Sequence, residues 1–225
     1  MAATGSSPAN IFKLYAAKLR GARGTPFPGY IEPLLATKVD RVPSTDHWVN
    51  EIKFDGYRLQ VHRHVNAMHC FTRRGHDWAA KFPTVISAVA GLRAQSFVLD
   101  GEAVIMTEQG DTDFNELESY VAPKIPPSEL MSRLVFYVFD LLYIDGFDLR
   151  DVPLVDRKAA LRILLNDAPT NGPLQYSEHL EATGSDIFKN ACALEVTGKP
   201  VGTVMSRLAR ARQRLIAELA TESHD

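Results

Sequence analysis

The stretch EIKFDGYRLQVH, residues 51–62, decides how the rest of the chain is read. Tyr57, Leu59 and Val61 alternate with Arg58, Gln60 and His62, which is the period of a half-buried strand. Just upstream, Lys53 stands two positions before the pair Asp55-Gly56. Asp-Gly supplies a tight turn that lets backbone approach a ligand. A lysine in that place is either a covalent nucleophile or a solvated side chain beside a turn. As a nucleophile it must lose a proton against a free pKa near ~10.4. Burial, a metal or another cation nearby lowers that barrier.

Working outward, a second strand is expected from Met68 to Thr72, closing a hairpin over HVNA. AAKFPTVISAVAGL (79–92) reads as a helix, FVLDGEAVIM (97–106) as a strand and FNELESYVA (114–122) as a helix. RLVFYVFDLLY (133–143) reads as a long strand ending at the turn IDG, and DRKAALRILLNDA (156–168) as a helix with Asp156 at its N-cap. Hairpins without a regular βαβ repeat predict an α+β fold with largely antiparallel sheets. Residues 1–28 read as a flexible basic leader, in which Ile11, Leu14, Tyr15 and Leu19 form at most a short amphipathic helix. Further on, SDIFKNACALEV (185–196) and VGTVMSRLARARQRLIAELA (201–220) read as helices broken by TGKP.

Composition excludes little. A net charge of -2 argues neither for nucleic acid nor for a membrane, and no apolar run is long enough to span a bilayer. The basic residues cluster instead: Lys13, Lys18, Arg20 and Arg23 in the acid-free start, and Arg207, Arg210, Arg212 and Arg214 near the end. Two distant cysteines, Cys70 and Cys192, point to a reducing compartment.

Three further motifs follow Lys53 in order, each at or near a predicted strand end: TRRG (72–75), LDGEAV (99–104) and FYVFDLLYIDG (136–146). Arg73 suits a phosphate, Glu102 a ribose hydroxyl or a metal, and Phe139 the face of a base. Singly each has an ordinary reading. Arg73 is surface charge, Glu102 a solvated strand residue, and Phe139 a core residue sharing a face with Val135, Tyr137 and Leu141. Jointly they describe a nucleotide pocket.

From about Ile31 to Leu194 the motifs IEPLLATKVD, HWVNEIKFDGYRLQ, TRRGHDW, VLDGEAV, FYVFDLLYIDG and LQYSEH run in order. With them the sequence resembles the adenylation domain of ATP-dependent DNA ligases, in the form of the bacterial ligase D type used in end joining. The resemblance implies a nucleotidyltransferase (ATP-grasp-like) fold and an enzyme. Lys53 would attack the α-phosphate of ATP, release pyrophosphate and carry AMP. Glu51 would contact the adenine amino group, Arg58 and Arg73 would hold ribose and phosphates, Glu102 the ribose, and Phe139 would stack on the purine. Mg²⁺ or another divalent metal would assist, its protein ligands being unassigned. AMP would pass to a 5′-phosphate of nicked or broken double-stranded DNA, which a 3′-hydroxyl then seals, in DNA repair and recombination in the bacterial cytoplasm.

The chain departs from that pattern after the helix at 185–196. The family's E-G-x-x-x-K strand is not found: Glu195 is followed by Val196, and Lys199 precedes Pro200. GKPVGTVMSRLARARQRL instead resembles the final recognition helix of extracytoplasmic-function sigma factors. The expected organisation is a leader at 1–28, an incomplete adenylation domain at 29–195 and a sigma-like helical tail at 196–225. Two other readings accompany the ligase: an inactive nucleotide- or DNA-binding remnant of a hybrid or frameshifted gene, and, on the tail alone, a transcription-related DNA-binding module.

Overall fold

The computed structural model describes residues 8–37, 48–108, 110–166 and 168–180. In chain order the elements are α1 (Pro8–Ala16), β1 (Arg23–Gly24), β2 (Asn50–Glu51), β3 (Tyr57–His64), β4 (Ala67–Thr72), α2 (Pro83–Ala90), β5 (Ser96–Ile105) and α3 (Phe114–Val121). They continue with α4 (Ser128–Met131), β6 (Leu134–Ile144), β7 (Phe147–Asp148), α5 (Leu154–Leu165), β8 (Leu174–Tyr176) and β9 (His179–Leu180). The chain passes between two compact units at Pro33/Leu34, Asp55/Gly56, Met106/Thr107, Thr112/Asp113 and Tyr176/Ser177.

The first unit is one sheet in the order β1-β7-β6-β5-β3-β4, antiparallel throughout, with β8 added parallel to β6. Strand alternation gives the sheet two unlike faces. Leu59 and Val61 of β3, Phe97, Leu99, Ala103 and Ile105 of β5, and Phe136 and Val138 of β6 join Val85 and Val89 of α2, Leu117 and Tyr120 of α3, and Leu161 and Leu164 of α5 in one buried cluster. The intervening residues, Arg58, Gln60 and His62 of β3 and Asp100 and Glu102 of β5, are the polar ones. This is the expected α+β fold, and the hairpin of β3 and β4 turns at the expected place.

Several local expectations need correction. Residues 8–28 are not an appended leader. Phe12 and Ala16 of α1 are buried in the core, and β1 pairs with β7 through Arg23↔Asp148 and Gly24↔Phe147. Phe12 and Ala16 lie four apart on the inward stripe, which leaves Ile11 and Leu14 exposed. The helix expected over 79–92 breaks into a short 3₁₀ turn, Ala79–Lys81, and α2, because Pro83 brings no N–H and opens a new helix. Pro153, not Asp156, caps α5, its carbonyl accepting from the Asp156 and Arg157 amides.

In β6 the alternation is interrupted twice. Asp100 faces Asp140 while Gly101 faces Val138, so Phe139 is an extra residue; Leu142 is a second one between Leu141 and Tyr143. Each bulge shifts the phase of the strand. Leu141 therefore rejoins Phe136 and Val138 in the core and does not share a face with Val135 and Tyr137.

The second unit pairs β2 with β9 antiparallel, Asn50↔Leu180 and Glu51↔His179. The helices expected at 185–196 and 201–220, Glu195, Lys199 and the boundary at 195/196 lie outside the described residues.

Candidate active site

The polar face of the first unit is set by register. Arg58 lies opposite Glu102, and Gln60 opposite Asp100. Arg58 reaches diagonally, donating from Nε and Nη2 to the two Asp100 carboxylate oxygens at 3.1 and 2.8 Å. Such a bidentate guanidinium–carboxylate pair fixes orientation as well as charge. Asp100 is the more deeply buried partner, its side chain 4% exposed against 25% for Arg58. The hydrogen bond to Asp100 raises the Arg58 pKa and holds the guanidinium charged. Burial pushes the Asp100 carboxyl upward, opposed by the same guanidinium.

The Arg58 guanidinium carbon also sits 5.4 Å from the centroid of the Phe139 ring, within cation–π range. The bulge makes this possible, since it takes Phe139 out of the core alternation while leaving its ring partly exposed. Glu102 accepts the Gly56 amide through Oε1 at 3.1 Å. Gly56 is a glycine because of the sheet: a Cβ there would stand 2.1 Å from the Ala103 carbonyl oxygen. The close approach there is of strand to strand. Arg73 lies in the turn after β4 with its side chain exposed, and its carbonyl accepts the Tyr30 hydroxyl at 2.7 Å.

Arg58, Glu102 and Phe139 thus come together around Asp100. Glu102 and Phe139 lie in mid-strand, where strand-end positions had been expected. Glu51 and Lys53 belong to the second unit. Glu51 is held in β2 opposite His179. Lys53 follows in a loop, its side chain 79% exposed and its Nζ 3.8 Å from Asp55.

Asp100 is the residue that sequence reading passed over. Its position two before Glu102 on the same strand put it on the same face, and that was the available signal. Asp140 was passed over as well; Arg157 clamps it through Nε and Nη2 at 2.8 and 2.7 Å. With Asp100 and Asp140 each engaged by an arginine, the described residues do not fit a dedicated metal cage, and they contain no group of three or more His, Cys, Asp or Glu side chains able to hold an ion.

A broad antiparallel sheet backed by helices, with a guanidinium, two carboxylates and an aromatic ring on its polar face, is a nucleotidyltransferase adenylation fold. The crystal structure of the ligase domain from M. tuberculosis LigD shares it, with a TM-score of 0.54 and 31% identity over 68% of this chain and 46% of that one. So does a mycobacterial DNA ligase D complexed with ATP and MES, with a TM-score of 0.52 and 30% identity over the same shares. The family model for the ATP-dependent DNA ligase domain matches residues 33–204, and the chain belongs to that family. The multifunctional non-homologous end joining protein LigD of Pseudomonas aeruginosa is 38% identical over 182 residues, 80% of this chain. The chain spans 21% of that relative's length.

Proposed function

We propose that this chain performs the adenylation step of an ATP-dependent DNA ligase of the ligase D type. The observation that carries the reading is the Arg58–Asp100–Glu102–Phe139 face, a preformed setting for a nucleoside on a chain of this family. The Phe139 ring offers the purine a surface. Arg58 and Arg73 supply positive charge for ribose and phosphates, and Glu102 accepts from the ribose. Glu51 contacts the adenine amino group.

Deprotonated Lys53 Nζ attacks the α-phosphorus. The N–P bond forms, the bond to the bridging oxygen breaks, and pyrophosphate leaves with its electron pair. A divalent ion neutralises charge in such transfers. It would arrive on the triphosphate, which suits Mg²⁺, an ion that keeps several waters and takes few protein ligands. AMP then goes to the 5′-phosphate of nicked or broken double-stranded DNA. A DNA substrate and a buried free thiol at Cys70 both suit the cytoplasm, and among the described residues no helix is long and apolar enough to cross a membrane.

The test is retention of label. The chain is incubated with Mg²⁺ and α-labelled ATP, denatured, and compared with Lys53→Ala. Label on the wild type alone is expected. Absence of label together with measurable ATP binding would replace this reading by that of a nucleotide-binding remnant. Sealing of a nicked duplex is scored separately.

A further inference from the structure

Lys158 of α5 is fully buried, at 0% exposure. Its Nζ donates to the Phe139 carbonyl at 3.2 Å and lies 5.0 Å from the centroid of the Tyr176 ring. The neighbouring Arg157 clamps Asp140, whose Oδ1 also accepts its own chain's Leu141 amide at 2.8 Å. Two successive residues of one helix therefore grip two successive residues of the β6 bulge. Tyr176 is fixed in turn. It pairs with Val138 across β6 and β8, and Arg162 lies 4.4 Å from its ring centroid.

This arrangement is costly. A buried ammonium gives up its hydration, and an apolar side chain of similar volume would fill the same space without that cost. What an apolar side chain cannot do is hold a carbonyl. Phe139 is the bulged residue and has no Cα partner in β5. A bulge re-aims its side chain, and here the aim depends on what fixes the peptide.

We propose that Lys158 is a positioning residue for the nucleobase. By holding the Phe139 carbonyl it sets the plane of that peptide and keeps the ring beside Arg58, on the polar face of the sheet. Arg157 secures the same bulge one residue later through Asp140. The inference rests on the reading that the Phe139 ring takes the purine.

The experiment is a calorimetric titration of the full chain in a Lys53→Ala background, which prevents covalent capture. ATP and inorganic tripolyphosphate are the two probes. Phe139→Ala is expected to weaken ATP about tenfold or more, the usual cost of losing a base-stacking ring, and to change tripolyphosphate less than about twofold. Lys158→Met is expected to weaken ATP by about fivefold to tenfold with tripolyphosphate again unchanged. The double variant should bind ATP within about twofold of Phe139→Ala, because the lysine acts through that ring.

ATP affinity kept in Lys158→Met but lost in Phe139→Ala would overturn the positioning role alone. So would equal losses for both probes, or additive losses in the double variant. ATP binding insensitive to Phe139→Ala would overturn the stacking reading and the purpose of Lys158 with it. Should Lys158→Met fail to melt cooperatively, Arg157→Gln reads the same bulge and must show the same split between probes.

Discussion

Arg58 and Lys53 are five residues apart and are held in opposite ways. Arg58 lies in an eight-residue strand paired on both sides, and two hydrogen bonds fix its guanidinium to a buried carboxylate. Lys53 follows a two-residue strand, and its ammonium is exposed with a carboxylate at 3.8 Å. The first unit fixes the Arg58 guanidinium within its sheet. Lys53, the proposed nucleophile, carries little built-in geometry of its own, and reacting atoms have to be brought to within about 3–3.5 Å in alignment before such a step runs. On the proposed function, nucleotide binding and transfer are therefore open to separate damage.

Substitutions put that contrast to the test. The largest effect is expected from Gly56→Ala, where the new Cβ meets Ala103 backbone and cannot be relieved by rotating a side chain. A loss of more than about 5 kcal/mol is expected, read as loss of the cooperative urea transition. Gly29→Ala, with nothing within 4 Å, should leave that transition in place. Next comes Asp100→Ala, which leaves the half-buried Arg58 charge without its bidentate partner. Breaking such a pair costs about 3 to 5 kcal/mol, and ATP binding should fall with it. An unchanged denaturation midpoint would refute the view that this pair holds the polar face together.

A smaller effect concerns pH. Burial lowers the His62 pKa to about 4 from its ordinary value of 6.5. The folded state thus keeps the ring neutral over a range in which the unfolded chain takes up a proton. The stabilisation is complete above the unfolded value and is lost as pH falls from 6.5 towards 4. The expected loss is about 2 to 3 kcal/mol, and the slope in that window should flatten in His62→Gln relative to wild type. Gln60, whose Oε1 lies 3.2 Å from the ring, is left unchanged in that comparison. Smallest is Asp55→Asn, which removes the exposed partner of Lys53 and should shift stability by less than about 0.5 kcal/mol. A larger shift would mean that the loop is held more firmly than its exposure indicates.

Much of this was legible beforehand. The hairpin of β3 and β4, the long strands β5 and β6, and helix α3 are long enough to carry a hydrophobic period, and each appears where that period put it. The two-residue strands β1, β2, β7 and β9 are too short to carry one. In β6 the period misled, because each bulge moved every later residue to the other face. Arg58, Glu102 and Phe139 were identifiable by residue type and motif. Asp100 was not, because the strand reading of 97–106 gives its face but not the partner it bonds, which lies 42 residues away. Nor was Lys158, because a lysine on a helix reads as solvated by default.

The pairing of β1 with β7 has a consequence for synthesis. Tyr143 donates its hydroxyl to the Thr25 carbonyl across 118 residues of sequence. Ribosomes add about 5 to 20 residues per second, so the N-terminal helix emerges some ten seconds before the strand and helix that receive it. Through that interval Phe12 and Ala16 have no core to enter. Helix α1 is thus made well before the elements that bury Phe12 and Ala16.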